Sequence, residues 1–235
     1  MCSSDLKTLM AIRVPPPPNL PNGPEAYLRQ YQDQLNNVLR LYFNQLNNFT
    51  QLLTTNTGGS ELGFPFVSAS DSNTQYATAD NTATIVQWNT LDAGNAFTLN
   101  TNYTATASVT GIYKITYSLQ FANNDNAIHD AIVWLRVDGT SATSLNDVAN
   151  STTIFTLPAR KSAGVPSYVC GYSEVVFTLT AGDSVGLWWG TDKAATSGGT
   201  TGVSIFAQAA QTSPMAYPAT PSAIGSITFV SSIPT

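Results

Sequence analysis

Residue types that can perform chemistry are scarce in this chain, which has one histidine, His129, and two cysteines, Cys2 and Cys170. A Ser-His-Asp site could use His129, but no G-x-S-x-G nucleophile motif is present. A Cys170–His129 nucleophile pair fits on residue types alone, yet Cys170 stands in an apolar Tyr-Val-Cys run that predicts a buried, inert thiol. One histidine and two cysteines are too few for a closed zinc site within one chain. We therefore expect no enzymatic activity.

Two carboxylates, Asp125 and Asp130, flank an asparagine-rich loop that could supply oxygen ligands to calcium. The simpler interpretation is a polar loop whose Asn and Asp side chains satisfy their own backbone. His129 and Asp130 are interpreted in the same way, as a hydrogen-bonding pair at the start of a strand. No metal and no cofactor is predicted.

The candidate ligand or interface residues are the adjacent pair Trp188 and Trp189, with Trp134 as a third indole. Aromatic faces can stack on sugars, so a carbohydrate-binding module that recognises host surface glycans is the alternative function. Neighbouring residues of a regular strand face opposite sides, so one of the pair must face the core. We expect the other to face a neighbouring subunit, because aromatic residues anchor interfaces. A polysaccharide depolymerase would need paired acidic residues, and the chain has three glutamates.

The composition of the 235 residues excludes some classes of partner. The formal net charge is -5 and only 10% of residues are charged, against about 25% in a typical soluble domain. A nucleic-acid partner is not expected, because it would require clustered Lys and Arg. The surface is covered mainly by 31 Thr, 22 Ser and 19 Asn. Such an uncharged surface suits burial against identical copies, where like charges would repel.

The N-terminal segment, residues 1–23, has no secretory signal and no stretch long enough to span a membrane, since its longest apolar run is residues 9–12. Free thiols are therefore expected, with a Cys2–Cys170 disulfide as the minor alternative. Four consecutive prolines, Pro15–Pro18, favour an extended polyproline II arm. We interpret 1–23 as an anchoring arm that lies against another protein.

Residues 24–55 are predicted to form one long helix. Asn22 is a suitable N-cap, Pro24 suits the first turn and Glu25 completes a capping-box-like pattern. Apart from Gln32, apolar residues then recur at spacings of three and four, which is a heptad-like seam. Further apolar side chains beside this seam make the apolar stripe too wide for a two-stranded coiled coil. We interpret the helix as an oligomerisation or docking element, with these seam residues: Leu28, Leu35, Leu39, Tyr42, Leu46, Phe49 and Leu53.

Residues 56–235 are predicted to be β throughout, after a hinge at 54–60. The segments alternate with period two, are separated by Gly-containing turns such as Thr110-Gly111 and Ala181-Gly182-Asp183, and have no helices between them. About ten strands of this kind indicate a mainly β, antiparallel jelly-roll sandwich. The predicted strands are Phe64–Ser68, Ala83–Trp88, Phe97–Leu99, Tyr103–Val109, Ile112–Phe121, Ala131–Val137, Ser151–Leu157, Tyr168–Leu179, Ser184–Trp189, Gly202–Ala207 and Ile224–Val230.

Three motifs of this region resemble the complement globular head and tumour-necrosis-factor-like jelly rolls. They are the aromatic-rich stretch at 111–121 (GIYKITYSLQF), the hairpin at 128–139 (IHDAIVWLRVDG) and the turn and strand at 179–188 (LTAGDSVGLW). Their order, together with the closing segment 217–230, resembles β domains in structural proteins of tailed bacteriophages. The resemblance covers about residues 64–230.

This resemblance implies assembly around a three-fold axis and a place in the virion. The chain is then expected to be a homotrimeric appendage, either a capsid decoration or knob or a tail- or fibre-associated protein. Residues 1–55 would attach it to other virion proteins, and the head would face outward for host attachment.

Overall fold

The computed structural model describes residues 15–20, 22–23, 26, 28–54, 63–138, 147–199 and 201–233. The chain separates into two compact units, Met1–Gly63 and Phe64–Thr235. The predicted hinge and residues 1–14 of the predicted arm lie outside the described residues, apart from Thr54. The division into an arm (1–23), a helix (24–55) and a head (56–235) stays a prediction.

Among its described residues the first unit contains one helix, α1, Arg29–Thr54. Its 26 residues span about 39 Å at ~1.5 Å per residue. The predicted start at residue 24 is wrong: Ala26 and Leu28 are not helical, and the helix begins at Arg29. The carbonyl of Leu28 accepts from the N–H of Gln32 at 3.2 Å, so Leu28 takes the N-cap position. A capping pattern supplies an acceptor for free N–H groups but does not decide which turn is the first to close. Pro15–Pro18 lies outside any helix or strand.

The second unit is built from thirteen strands within the described residues. They form two antiparallel sheets of seven and six strands. Their bounds are β1 Phe66–Asp71, β2 Gln75–Tyr76, β3 Thr84–Ile85, β4 Thr90–Asn95, β5 Phe97–Leu99, β6 Ala105–Ala107, β7 Gly111–Asn123, β8 His129–Asp138, β9 Thr153–Leu157, β10 Ser167–Leu179, β11 Ser184–Thr191, β12 Val203–Ile205 and β13 Ala223–Ser231.

The strands pair as one nested hairpin, and this confirms the predicted jelly roll. At its centre β8 pairs with β9; outside it β7 pairs with β10, then β6 with β11, and finally β1 with β13. Successive pairs belong alternately to the six-stranded and the seven-stranded sheet. The chain therefore wraps around a core that lies between the two sheets.

Strand β7 supplies the centre of this core. It is hydrogen-bonded to β10 on one side and to β12 and β13 on the other. Its alternating residues confirm the predicted core face. These five side chains point inward and are at most 3% exposed: Tyr113, Ile115, Tyr117, Leu119 and Phe121.

The predicted turn at Thr110-Gly111 is confirmed only in part: Thr110 lies in the connection 108–110 between β6 and β7, but Gly111 is already the first residue of β7 and pairs with Leu179. A Cβ at Gly111 would overlap the ring of Phe229, so packing requires the glycine there. The turn at 181–183 is confirmed, and Gly182 adopts the left-handed region with φ of 98°.

Two strands have no counterpart in the prediction. β4 (TLDAGN) carries little apolar alternation because it lies at the edge of its sheet, where its residues are almost all exposed. β2 has only two residues and pairs with β12, so it is too short to leave a periodic signal.

We predict that Gly171→Ala destabilises the head by about 1–3 kcal/mol, because a methyl group there would overpack the core. Its Cβ would lie 2.8 Å from the ring of Phe121 and 3.1 Å from that of Phe155. Gly94→Ala in β4 is the matched control, since a Cβ at Gly94 would make only ordinary contacts of 3.5 Å or more. Urea unfolding of the two variants measures the effect; equal stabilities would contradict the packing account.

Candidate interaction surfaces

The outward face of β10 carries large apolar side chains that the chain itself leaves uncovered. Tyr168 is 52% exposed, and Tyr172 and Val176 are each 61% exposed. They alternate with buried or half-buried residues, as a strand with one face on a core requires. Among the described strands β10 pairs only with β7, so this face lies along an open edge of the seven-stranded sheet.

The charge on this face is small. Glu174 is joined to Lys114 of β7 by an ion pair of 3.6 Å, and the remaining outward positions of β10 are uncharged. Cys170 lies between the two tyrosines, and its Sγ is 3.2 Å from the hydroxyl of Ser118. The predicted burial of Cys170 is wrong: it is an exposed free thiol, because even-numbered residues of β10 face outward. Cys2 lies outside the described residues.

The apolar seam of α1 lies along one side of the helix, as the three-four spacing requires. Leu28, just before the helix, is 56% exposed, whereas the other seam residues with described side chains are half-buried: Leu35, Leu39, Tyr42, Leu46 and Phe49. Leu53 belongs to the helix, but its side chain lies outside the described residues. Leu41 and Phe43, beside the seam, are each 60% exposed.

The two adjacent tryptophans point in opposite directions, as predicted. Trp189 is completely buried. Its side chain points inward from β11, and its ring lies 6.1 Å from that of Phe121 in the core. The prediction that Trp189 is a ligand or interface residue is therefore wrong. Trp188 lies on the outer face of the six-stranded sheet, opposite Trp134 of β8.

The outer tryptophans are bound to an arginine and a carboxylate of the same chain. The guanidinium carbon of Arg136 is 4.2 Å from the ring centre of Trp188 and 5.9 Å from that of Trp134. Arg136 Nε and Trp134 Nε1 both donate to Oδ1 of Asp147, at 2.7 and 3.0 Å. One face of Trp188 therefore carries a cation–π contact where a stacked sugar would have to lie.

The single histidine lies between two carboxylates at the start of β8. Its Nδ1 is 2.9 Å from Oδ2 of Asp192 and its Nε2 is 3.4 Å from Oδ2 of Asp125. The side chain is only 11% exposed. Among the described residues no thiol or hydroxyl bonds to His129, and the partner of Cys170 is Ser118. The Cys170–His129 nucleophile pair considered from the sequence is therefore not formed.

The asparagine-rich loop does not bring its two carboxylates together. Asp125 Oδ1 accepts from the N–H of Asn126 at 2.6 Å, and Asp130 Oδ1 accepts from the hydroxyl of Thr156 at 2.7 Å. The part of the chain that the structure describes contains no cluster of three or more His, Cys, Asp or Glu able to hold a metal ion. In the same residues, no helix has both the length and the apolar character that crossing a bilayer requires.

Sequence reasoning missed Asp192, Asp147 and the exposed tyrosines of β10. Asp192 reaches His129 only because β11 pairs with β8, 63 residues away in the sequence. Asp147 reaches Trp134 and Arg136 where the chain returns to β8, 13 and 11 residues later. The outward direction of the tyrosines could have been predicted, because they occupy even-numbered positions while the odd-numbered residues of β10 face the core.

No family model matches the chain, and no curated protein matches it. Among solved structures, Eiger, a tumour necrosis factor from S. frugiperda, is similar over 74% of this chain and 96% of its own, with a TM-score of 0.46 and 12% sequence identity. The jelly roll described above rests on the strand pairing itself.

We predict that replacing Asp192 by Asn reduces stability at neutral pH and that this loss disappears in acid. Burial raises the pKa of Asp192, but hydrogen bonds from His129 and the Asp130 N–H outweigh it, so the pKa lies below its ordinary value. A carboxyl with a lowered folded pKa stabilises the fold above its unfolded pKa of about 3.9, and this contribution is lost as pH falls through the folded pKa.

Thermal unfolding of both proteins between pH 7 and pH 2 measures this difference. Asp71, whose pKa is raised by burial, acts in the opposite direction but equally in both proteins. A difference between wild type and Asp192→Asn that stays constant from pH 7 to pH 2 would contradict the assignment.

Proposed function

We propose that this chain is a bacteriophage virion structural protein that forms a homotrimeric surface appendage, either a capsid decoration or knob or a tail- or fibre-associated protein. Its N-terminal arm and helix anchor it to other virion proteins, and its jelly-roll head faces outward for host attachment. In this proposal the chain is not an enzyme and resides in the assembled particle.

The exposed apolar face of β10 is the observation that carries the proposal. A free-standing domain rarely leaves aligned tyrosine and valine side chains more than half exposed on a regular sheet face. Identical copies suit this face, since aromatic residues anchor interfaces and its one carboxylate, Glu174, is already paired within the chain. The phage assignment is supported by the order of the three sequence motifs.

The head also has two distinct ends, as an anchored appendage requires. Phe66 at the start of β1 pairs with Thr228, which pairs with Lys114 near the start of β7. The far end of β7, at Asn123, is about 30 Å from Lys114 at ~3.3 Å per residue. Loops 124–128 and 158–166 meet at that far end, where the Arg160 N–H bonds to the Asp125 carbonyl. Those loops are the surface that the proposal displays to the host.

The alternative, a carbohydrate-binding module built on Trp188 and Trp189, has less support. Trp189 fills the core, and Arg136 covers one face of Trp188. Wild-type binding to a glycan array that is lost in Trp188→Ala would favour this alternative over the structural role.

We predict that Tyr172→Asp dissociates the trimer, because it places a charge in each copy of the apolar face. Sedimentation velocity should show a shift from about three times the 25.0 kDa chain mass to the monomer. Thr98→Asp is the matched control: it adds the same charge at an exposed position of β5 and should leave the trimer intact. An unchanged trimer in Tyr172→Asp, with a folded head by circular dichroism and with the exposed thiol of Cys170 no more reactive than in the wild type, would contradict the interface.

We predict that deleting residues 1–23 abolishes incorporation into particles while the head keeps its fold. The arm is the segment that the proposal assigns to anchoring, and the head buries its own core without it. The protein content of purified particles measures the effect, with Thr98→Asp as a variant expected to be incorporated. Incorporation of the deleted protein at the wild-type level would refute the anchoring role.

A further inference from the structure

One polar residue interrupts the apolar seam of α1. The seam continues from Leu28 to Leu53 in strict steps of four and three, and Gln32 occupies the one position that is not apolar. Gln32 is half-buried, and its Nε2 donates to Oδ1 of Asn36 at 3.3 Å. This amide therefore lies in the row that any helix packed on the seam would contact.

From Tyr31 onward the residues beside the seam are uncharged where parallel copies would meet; Arg29, beside Leu28 in the first turn, is the one charged flanking residue of α1. In a parallel, in-register coiled coil, a residue on one flank faces the residue five positions later on the neighbouring helix. These flanking pairs would be Tyr31 with Asn36, Val38 with Phe43 and Gln45 with Thr50 of the next copy. Identical helices can thus approach without like-charge repulsion, and the exposed Phe43 ring gains an apolar partner.

The charged residues near the middle of the helix stand away from this row. Asp33 and Arg40 are both exposed. They follow Gln32 and Leu39, the seam residues from which the next step is three, and this position lies on the outer side of a coiled coil. The Arg40 guanidinium bonds to the Asn37 side chain within its own helix at 3.1 Å. The surface is thus complementary to an uncharged apolar helix, and another copy of α1 supplies one.

A buried amide also selects among the ways in which identical helices can pack. In a parallel, in-register arrangement the Gln32 side chains meet one another and can exchange hydrogen bonds. In an antiparallel or shifted arrangement each would face apolar seam residues and lose its partners, which disfavours that arrangement. Single polar residues at seam positions set register and strand number in this way.

We propose that α1 binds the α1 helices of two further copies, parallel and in register, and that Gln32 fixes this register. The inference rests on the proposed trimer and specifies how its helical part assembles. Leu41, which is exposed but lies off the seam, stays outside the contact.

Disulfide trapping in the full-length chain tests the proposal. Cys2→Ser and Cys170→Ser remove the native thiols, and Leu46→Cys introduces one on the seam while Gln32 stays in place. Mild oxidation should link two of the three copies through position 46, because copies of one seam residue meet only in a parallel, in-register arrangement. Asn37→Cys, exposed on the opposite side of the helix, is the control and should stay unlinked.

The outcomes separate this inference from the proposed function. A trimer by sedimentation with no linkage at position 46, or with equal linkage at 46 and 37, overturns the parallel helix assembly and leaves the head trimer standing. A monomer by sedimentation overturns both.

The specificity of Gln32 is tested by Gln32→Leu against Gln34→Leu, which adds the same apolar group at an exposed position. Native mass spectrometry of Gln32→Leu should show more than one stoichiometry, while Gln34→Leu stays a single trimer. A single trimer in both variants would overturn the role assigned to Gln32.

Discussion

The inward alternation of β7, together with its pairing on both sides, is the constraint on which the rest of the head depends. Five large side chains of this strand reach the space between the sheets, and a slip of one residue would expose them all. Since β7 is bonded along its length to β10 and to β13, its register fixes theirs. The outward direction of the β10 tyrosines is thus a consequence of the core, which no local rearrangement of β10 could avoid.

That consequence connects packing to function. A strand that turns its odd-numbered residues toward the core must present its even-numbered residues outward, and in β10 these include Tyr168, Tyr172 and Val176. Together with the uncharged seam of α1, they leave apolar surface uncovered in both units of the chain. The low charge of the sequence fits this arrangement, because surface that is buried between identical copies cannot carry many like charges. Assembly of identical copies explains both the uncovered apolar surface and the low charge of the sequence.

Much of the fold could be predicted from the sequence, because the long strands β7 and β10 alternate along most of their length and a glycine turn separates β10 from β11. β5 was predicted with its observed bounds, and the core face of β7 was predicted residue by residue. β4 could not be found, since an edge strand with exposed residues carries no alternation. The helix start was misplaced because the capping pattern lies a turn too early. Of the candidate site, the opposite orientations of Trp188 and Trp189 followed from strand geometry. The contact of Arg136 with Trp188 depends on the pairing of β8 with β11, which local periodicity does not reveal.

The central claim is that other copies of this chain cover the outward face of β10, and Cys170 is positioned to report on it. In a Cys2→Ser background Cys170 is the one remaining thiol, so its rate of reaction with a soluble disulfide reagent measures the exposure of that face. The account predicts slow reaction at concentrations where the trimer forms and fast reaction after dilution or in Tyr172→Asp. Fast reaction at every concentration, equal to that of Tyr172→Asp, would contradict it.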